Sequence, residues 1–240
     1  MRINLKSALF SVPIAHRGLW GADITENSAF AYENAAANAY PVEIDVYASR
    51  DGELFCFHDK SLERMTGAKG LIYEKTANEL KSLDLIGGGK IPTLKETLEI
   101  AEGRIPLLIE IKNQPDKRIV ERTVAALKDY KGEFAVQSFN PLYIAKVKKL
   151  APEIIRGVLA TSDEEDLKGE NSITRFIVKN LALNFIAKPD FISYKHTGLP
   201  LKKSKIKNKA LLCWTVTSQA EYDRVKPLCD NIIFENFIPE

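Results

Sequence analysis

Two acidic side chains interrupt a strand-like run of the sequence, VEIDVY, at Glu43 and Asp45. Because the side chains of a strand alternate between its two faces, both acids lie on one face while valine and isoleucine occupy the other. A second run, LLIEIK, repeats the arrangement with Glu110 and Lys112. Charged residues are seldom buried unless they are paired or bind a metal, so these two runs indicate a site for chemistry.

The three carboxylates of these runs fit the ligand set of a divalent metal. If Glu43, Asp45 and Glu110 converge, each pair at about 4 Å repels by several kcal/mol in a low-dielectric site. A hard cation relieves this repulsion, and ligation by carboxylates alone favours Mg²⁺ or Ca²⁺ over zinc. The alternative is an ion-pair network with Lys112 and Arg17, but three acids with matched facing on two strands favour the metal.

Two histidines stand at the ends of apolar runs, near the predicted metal site. His16 precedes Arg17 at the end of SVPIAH, and His58 precedes Asp59 at the end of GELFCFH. Imidazoles titrate near neutral pH, so the pair suits general acid and general base catalysis, although a single histidine more often has a structural role. The planar guanidinium of Arg17 suits phosphate, and Lys112 adds a second cation. Together these groups predict phosphoryl transfer.

Other conspicuous residues carry weaker predictions. Trp214 ends the run LLCW and serves either as core or as a pocket wall over the substrate. His196 follows a strand-like run, but nothing else supports a catalytic role for it. Cys56 and Cys213 are interpreted as buried core residues. The basic run LKKSKIKNK, residues 201–209, is interpreted as a solvated face, with an electrostatic contact to anionic lipid or substrate as the alternative.

Strand-like and helical patterns alternate along the whole chain. The run GELFCFH follows VEIDVY after an Arg-Asp-Gly turn, which predicts a hairpin. Thr93 with Glu96 three residues later predicts a capped helix start, and one helix is predicted over residues 173–187. Apart from the second hairpin arm, eight strands are predicted near residues 12–16, 42–47, 105–111, 133–138, 154–159, 190–194, 210–216 and 231–235.

Eight strand–helix units in 240 residues predict an α/β fold of the (β/α)8 TIM-barrel class. The alternative is an open, doubly wound sheet, but no glycine-rich nucleotide-binding fingerprint follows any strand. The acidic residues described above fall late in their strands. Active sites of TIM barrels form at the C-terminal ends of the strands, so the predicted fold and the predicted site agree.

Composition and charge exclude several classes of protein. The 34 basic and 32 acidic residues give a net charge of +2, which argues against a nucleic-acid-binding protein. The N-terminal apolar run is short and broken by Pro13, so no signal peptide is predicted, and no run reaches the about 18 apolar residues of a membrane span. The three cysteines lack metal-type spacing and indicate a reducing compartment. A cytoplasmic enzyme is therefore expected.

Five short motifs occur in a fixed order and resemble the glycerophosphodiester phosphodiesterase family. They are AHRG (15–18), TEN (25–27), EID (43–45), FHD (57–59) and EIK (110–112). The resemblance spans residues 14 to about 239 and includes the lesser marks IPTLKETL (91–98), QSF (137–139) and WTV (214–216). It implies a single catalytic domain over residues 1–240, a TIM barrel with a small insertion, residues 59–90, after the second strand.

The resemblance also implies a site and a reaction. The reaction is metal-dependent hydrolysis of glycerophosphodiesters to glycerol 3-phosphate and an alcohol, along a route proposed for the family in which the glycerol 2-hydroxyl attacks phosphorus to give a cyclic phosphate. Glu26 joins the site by this resemblance, either supporting the metal or orienting histidine and arginine. The implied roles are metal binding by Glu43, Asp45 and Glu110, acid–base catalysis by His16 and His58, and phosphate binding by Arg17 and Lys112.

Several alternatives to this function remain. One keeps the chemistry but acts on lipid head groups, as a lysophospholipase D-like or cyclic-phosphate-forming phosphodiesterase. Others are a barrel that only binds a phosphorylated metabolite and a magnesium barrel for enolate chemistry, which the paired His-Arg and His-Asp motifs do not suit. Departures from the family pattern at Thr25, Thr217 and Glu235 put substrate preference in doubt. The expected partner is a small phosphodiester, without nucleic acid or stable membrane insertion, and the oligomeric state is left open.

Overall fold

A computed structural model describes residues 4–240 of the chain. The strands of this part are β1 (Ile14–Ala15), β2 (Val42–Ala48), β3 (Leu54–Cys56), β4 (Leu107–Ile111), β5 (Phe134–Ser138), β6 (Arg156–Ala160), β7 (Phe191–Lys195), β8 (Ala210–Val216) and β9 (Asn231–Phe234). The α-helices are α1 (Ala8–Ser11), α2 (Ala29–Ala37), α3 (Glu63–Thr66), α4 (Ala77–Ser82), α5 (Leu94–Ala101), α6 (Ile119–Leu127), α7 (Pro141–Leu150), α8 (Ser172–Asn180), α9 (Asn184–Ala187), α10 (Lys203–Ile206) and α11 (Gln219–Val225). Short 3₁₀ helices cover Ile72–Glu74, His196–Gly198 and Lys226–Leu228.

The architecture confirms the predicted fold class. Eight parallel strands alternate with helices, so the chain has the (β/α)8 TIM-barrel fold. The additional strand, β3, runs antiparallel to β2 as the return arm of a hairpin. This hairpin confirms the prediction from the Arg-Asp-Gly turn, in which Gly52 adopts a φ of 101° and donates its N–H to the Ser49 carbonyl.

Residues 15–134 form one of two compact units in the described part of the chain. In this unit β2 pairs in parallel with β4, and Asp45 stands opposite Glu110 in the register. The strand β2 is buried along its whole length, which suits a central barrel strand. The opposed positions bring acids that are 65 residues apart in the sequence onto one face.

The segment 59–90 folds against the hairpin as a small cluster of its own. It contains α3, α4 and the 3₁₀ turn Ile72–Glu74. Their buried apolar side chains pack with Tyr47, Phe55 and Phe57 of the hairpin region. Thr76 starts α4 with a capping box, because its hydroxyl accepts the Glu79 N–H while the Glu79 carboxylate accepts the Thr76 N–H. Burial and capping thus hold α3 and α4 against the hairpin, whose second arm leads to His58 two residues after β3.

The helix start at Thr93 agrees with the sequence prediction. The Thr93 hydroxyl accepts the Glu96 N–H at 3.2 Å, and the Glu96 carboxylate accepts the Thr93 N–H at 2.7 Å. This reciprocal pair satisfies two N–H groups that an isolated helix end leaves unpaired. The helix α5 therefore begins at a position that local sequence alone specifies.

Residues 4–14 and 135–240 form the second unit. Its strands β5 to β9 pair in parallel with their sequence neighbours. The prediction of one helix over residues 173–187 is wrong, because Leu181 adopts a left-handed φ of 55° and separates α8 from α9. The basic run 201–209, interpreted from the sequence as a solvated face, contains the one-turn helix α10. β1 is also shorter than the predicted strand over 12–16.

The sequence also predicted that the chain has no membrane span and forms a single domain. No helix within residues 4–240 combines the length and the apolar character needed to cross a bilayer. The assignment of residues 1–240 to one catalytic domain stays a prediction, as does the description of 59–90 as an insertion within it.

Candidate active site

The acidic residues predicted from the strand pattern converge in the structure. One carboxylate oxygen from each of Glu43, Asp45 and Glu110 lies within 4.8 Å of the others, and all three side chains are at least nine-tenths buried. The cause is strand register, because Asp45 stands opposite Glu110 on β4 while Glu43 precedes Asp45 by two residues on the same face of β2. The pattern of alternation therefore translates into a compact cluster of three carboxylates.

Two cations border this cluster. The Lys112 ammonium lies 3.1 Å from Asp45 Oδ1 and 3.0 Å from Glu110 Oε1, and the Arg17 Nε lies 3.6 Å from Asp45 Oδ2. Although burial acts in the opposite direction, Lys112 and the other nearby positive groups hold the pKa of the Asp45 carboxyl below its usual range. The same carboxylates raise the pKa of the Lys112 ammonium despite its burial. Asp45 is therefore the acid that these cations stabilise in its charged form.

Glu43 behaves differently from Asp45. Burial and the neighbouring charges of Asp45 and Glu110 raise the pKa of the Glu43 carboxyl well above its ordinary value. Ionised Glu43 therefore adds negative charge that Arg17 and Lys112 do not compensate. A buried, all-oxygen donor set of this kind fits a divalent cation such as Mg²⁺ or Ca²⁺, and the residues that fit it are Glu43, Asp45 and Glu110. The ion-pair network weighed as the alternative is present, but it covers only part of the acidic charge.

The loop after β1 holds Arg17 in an unusual backbone conformation. Arg17 has a φ of 58°, and its N–H donates to Glu43 Oε2 at 3.3 Å while its carbonyl accepts the Asn27 N–H at 2.8 Å. Gly18 follows with a φ of 89°, and a Cβ at this position would lie 2.6 Å from the Ala31 Cβ. Only glycine fits there, so the His-Arg-Gly sequence supplies the turn that directs Arg17 to the acids.

Asn27 was not assigned a role from the sequence. Its side-chain amide donates to Asp45 Oδ2 at 2.9 Å, and its amide oxygen accepts the Tyr32 hydroxyl at 2.9 Å. All three side chains are buried, so this chain of hydrogen bonds fixes the orientation of the Asp45 carboxylate. The sequence indicated a site role for the adjacent Glu26 of the TEN motif but none for Asn27. The contact of the Asn27 amide with Asp45 depends on the left-handed turn at Asn27, where φ is 48°.

The two predicted catalytic histidines border the same group of residues. His16 lies in the loop after β1, with its Nε2 3.9 Å from Glu43 Oε2, and its carbonyl accepts the Trp20 indole N–H at 2.8 Å. His58 follows β3, and its Nδ1 lies 2.7 Å from Asp59 Oδ1. Although burial acts to raise it, hydrogen bonds from His58 and Arg64 hold the pKa of the Asp59 carboxyl below its usual range. Asp59 is therefore an acceptor, which assigns the proton of neutral His58 to Nδ1 and leaves Nε2 as the proton acceptor.

We expect His58 to titrate at an unusually low pH. Burial and the Lys112 charge lower the pKa of His58 to about 4 from an ordinary value of 6.5, so protonation opposes folding. Stability that depends on neutral His58 is present above pH 6.5 and is lost as the pH falls towards 4. The measurement is an NMR pH titration of the metal-free protein, whose three histidines give few ring signals.

The variant His58→Gln assigns the signal in that titration. Asp59→Asn should move the midpoint of His58 lower still, because the Asp59 hydrogen bond acts to raise this pKa. A midpoint near 6.5 for His58 would contradict the inferred environment of the ring.

Arg64 is a second residue that the sequence prediction missed. Its guanidinium donates to Asp59 through Nε at 2.5 Å and to both oxygens of Glu26, at 2.7 and 3.1 Å. Glu26 Oε1 also accepts from Arg17 Nη1 at 2.9 Å. Arg64 lies on α3 within the segment 59–90, and its spacing from His58 carries no motif that predicts this contact. Through Arg64, the residue that orients His58 is linked to the residue that orients Arg17.

The remaining candidates lie in the unit that contains residues 135–240. Trp214 on β8 makes an edge-to-face contact with Phe139, with ring centroids 5.6 Å apart, and the Lys195 ammonium lies 6.0 Å from its ring. A substrate-binding role for Trp214 stays a prediction. His196 is buried, and its Nδ1 lies 2.8 Å from the Arg224 guanidinium, which gives it a structural partner.

Comparison with known protein families gives a match over almost the whole chain. A sequence model of the glycerophosphoryl diester phosphodiesterase family matches residues 16–238. A glycerophosphodiester phosphodiesterase of Caldanaerobacter subterraneus is 34% identical over 161 residues, which cover 61% of this chain and 65% of that protein, slightly under two thirds of its length. A glycerophosphodiester phosphodiesterase of Bacillus subtilis is 26% identical, and the alignment covers 98% of this chain and 86% of that protein.

Solved structures show the same similarity. A phosphodiesterase from Oleispira antarctica, solved in complex with its product sn-glycerol-3-phosphate, superposes with a TM-score of 0.80 at 26% sequence identity. The superposition covers 95% of each chain. The fold of this chain is therefore shared with a solved phosphodiesterase structure.

Proposed function

Since this chain belongs to the glycerophosphoryl diester phosphodiesterase family, we propose that it hydrolyses glycerophosphodiesters to sn-glycerol 3-phosphate and an alcohol. The proposal is supported most directly by one observation. The three buried carboxylates lie together with Arg17 and Lys112, and the histidine-aspartate pair belongs to the same unit. The product bound by the Oleispira antarctica relative is consistent with this substrate class.

In this proposal the cations of the site bind the phosphodiester. Arg17 carries five N–H donors in a planar fork and Lys112 carries three, so each can contact a phosphate oxygen while it contacts an acid. Both lie beside Asp45, which keeps them close together and restricts their side chains. A phosphate held by these two groups has its negative charge stabilised as the phosphorus–oxygen bond breaks.

The histidines provide the two proton transfers. His58 is neutral at physiological pH, with its Nδ1–H donated to Asp59, so its Nε2 accepts the proton of the attacking hydroxyl. His16, the other imidazole beside the acidic cluster, donates a proton to the departing alkoxide oxygen. The net reaction consumes one water and releases the phosphomonoester and the alcohol, and a cyclic phosphate formed by the glycerol 2-hydroxyl is the intermediate that a product assay would detect.

The acidic residues of the site would hold a divalent metal. Glu43, Asp45 and Glu110 would ligate Mg²⁺ or Ca²⁺, which supplies charge neutralisation and polarisation of a phosphoryl oxygen when bound. Asn27 orients Asp45 for this role, and Lys112 limits the repulsion among the acids before any cation binds.

The reaction is tested with a substrate panel. We expect purified protein with Mg²⁺ or Ca²⁺ to release glycerol 3-phosphate from glycerophosphocholine and glycerophosphoethanolamine, measured with a coupled dehydrogenase assay. Chromatography of the same mixtures separates glycerol 3-phosphate from cyclic glycerophosphate. Turnover of lysophosphatidylcholine but not of glycerophosphocholine would overturn the substrate assignment, and no turnover of any diester with either metal would overturn the proposed reaction.

Arg64 is proposed as a positioning residue. Arg64→Lys keeps the positive charge but cannot reach Asp59 and Glu26 together, because an ammonium lacks the planar fork. We expect kcat to fall roughly tenfold in Arg64→Lys and further in Arg64→Ala, as for other residues that orient catalytic groups. The acid limb of the pH–rate profile should also move, since Asp59 loses a partner and holds His58 less well.

The matched control for this prediction is Arg118→Ala. Arg118 forms a comparable pair with Asp116 but is 71% exposed and belongs to no part of the site. A loss of kcat in both variants, or an unchanged pH–rate profile in Arg64→Lys, would reduce Arg64 to a structural role.

A further inference from the structure

The segment 171–209 has a charge balance unlike that of the whole chain. It contains nine lysine or arginine residues and a single acidic residue, Asp190, whereas the whole chain has 34 basic and 32 acidic residues. Three of the helices defined above, α8, α9 and α10, fall within this segment. Because the chain is otherwise slightly acidic, this segment concentrates the positive charge in one part of the molecule.

The same segment exposes large apolar side chains. On α8, Ile173 is 71% exposed and Phe176 is 62% exposed, and on α9, Phe185 is 71% and Ile186 is 42% exposed. At 3.6 residues per turn, Ile173 and Phe176 share one side of α8, while the buried Val178 lies on the opposite side. The exposed side of α8 therefore carries two large apolar side chains, Ile173 and Phe176, that the burial of Val178 on the opposite side leaves uncovered.

The helices of this segment lie next to one another. The Lys205 ammonium on α10 donates to the Lys179 carbonyl at 3.2 Å and to Asn180 Oδ1 at 3.3 Å, at the end of α8. One apolar cluster contains Val178 of α8 and Ala187 of α9, with Leu201 and Ile206 packed against it. We call this region the α8–α10 surface; its exposed large apolar and lysine side chains are Ile173, Phe176, Phe185, Ile186, Lys188, Lys202, Lys203 and Lys207.

We propose that the α8–α10 surface docks the protein on an anionic lipid bilayer. Exposed phenylalanine and isoleucine side chains beside lysines are the combination that partitions into the headgroup region of an anionic membrane. The charge of the surface is complementary to anionic headgroups, and a fluid bilayer accommodates apolar side chains on separate short helices. The docking is peripheral and requires neither a spanning helix nor the reaction proposed above.

Vesicle binding tests this proposal. Full-length protein is sedimented with vesicles of phosphatidylglycerol and phosphatidylcholine in equal parts, and with vesicles of phosphatidylcholine alone. We expect binding to the anionic vesicles only, with weakening as the salt concentration rises, because electrostatic attraction to the surface is screened. Absence of binding to the anionic vesicles, or equal binding to both kinds, would overturn the proposal.

Two paired substitutions separate the apolar and the electrostatic contributions. Ile173→Ser with Phe176→Ser, and Lys202→Glu with Lys203→Glu, should each weaken binding to anionic vesicles about tenfold or more. Phe30→Ser is the matched control, because Phe30 is also 62% exposed but belongs to the unit 15–134. Hydrolysis of soluble glycerophosphocholine should be unchanged in all of them.

Other occupants of the surface give different results. If the surface joins two copies of the chain, light scattering will show a dimer that the serine pair dissociates, without vesicle binding. If the surface binds an acidic protein, the chain will bind polyglutamate but not the vesicles. Either outcome would overturn the lipid assignment.

Discussion

Removal of divalent cations is expected to abolish hydrolysis of glycerophosphocholine, and added Mg²⁺ or Ca²⁺ to restore it. Glu43, Asp45 and Glu110 are buried within 4.8 Å of one another, and Lys112 and Arg17 offset only part of their charge. Without a cation the phosphodiester meets this negative charge, which raises the barrier to phosphoryl transfer. The measurement is glycerol 3-phosphate release after EDTA treatment and dialysis, followed by titration with each metal.

Substitution of a single residue of the proposed metal site should also lower activity. We expect Glu43→Gln and Glu110→Gln each to lower kcat/KM about 100-fold or more and to weaken metal binding measured by calorimetry. Glu99→Gln, at a residue of α5 that is 65% exposed, is the control. Undiminished activity after thorough chelation would contradict the metal assignment, whatever the activity of the variants.

The substitution Glu43→Gln should increase stability while it lowers activity. Burial, Asp45 and Glu110 raise the pKa of Glu43 above its ordinary value of 4.5, so ionisation of this carboxyl opposes folding. The unfolding free energy of the metal-free protein should therefore fall as the pH rises above 4.5, and Glu43→Gln should lack that part of the fall. Urea unfolding at several pH values gives the comparison, and a less stable Glu43→Gln variant at neutral pH would contradict the inferred electrostatics.

Replacement of His58 by alanine is expected to lower kcat about 100-fold or more, the usual contribution of a general base. His58 is neutral at physiological pH, and its Nδ1 is oriented by Asp59 at 2.7 Å, which leaves Nε2 to accept the proton of the nucleophile. His16→Ala should cause a loss of similar size if His16 protonates the departing oxygen. Asp59→Asn should have a smaller effect, because it disturbs the orientation of His58 but keeps the base.

The control for the histidine variants is His196→Ala. His196 is a buried histidine with its own partner, Arg224, and belongs to no part of the proposed machinery. Urea unfolding establishes that each variant is folded, and added imidazole should partly restore His58→Ala. Full activity of folded His58→Ala would contradict the proposed base.

The amino-acid sequence by itself determined which residues face the site. Strict alternation along VEIDVY and LLIEIK placed Glu43 and Asp45 on one face of β2 and Glu110 on one face of β4, because the side-chain period of a strand does not depend on its neighbours. The hairpin to β3 and the start of α5 at Thr93 were equally local, since turn and capping residues act within a few positions.

The tertiary structure decided how these residues meet. The register that opposes Asp45 to Glu110 and the contact of Asn27 with Asp45 join residues 65 and 18 positions apart. No local propensity specifies such distances, because they follow from strand pairing and burial across the whole unit. The link from Arg64 to Glu26 likewise depends on how the segment 59–90 packs against the hairpin.

The single helix wrongly predicted over residues 173–187 also shows that local propensity does not specify tertiary contacts. Its apolar periodicity continues without a glycine or proline until Pro189, and local propensity therefore favours one helix. The chain instead turns at Leu181, whose buried side chain joins Val178 and Ala187 in one apolar cluster. Burial of Leu181 stabilises a left-handed conformation that its residue type alone disfavours. The sequence thus determined which acidic residues share a strand face, and tertiary contacts determined where the chain bends.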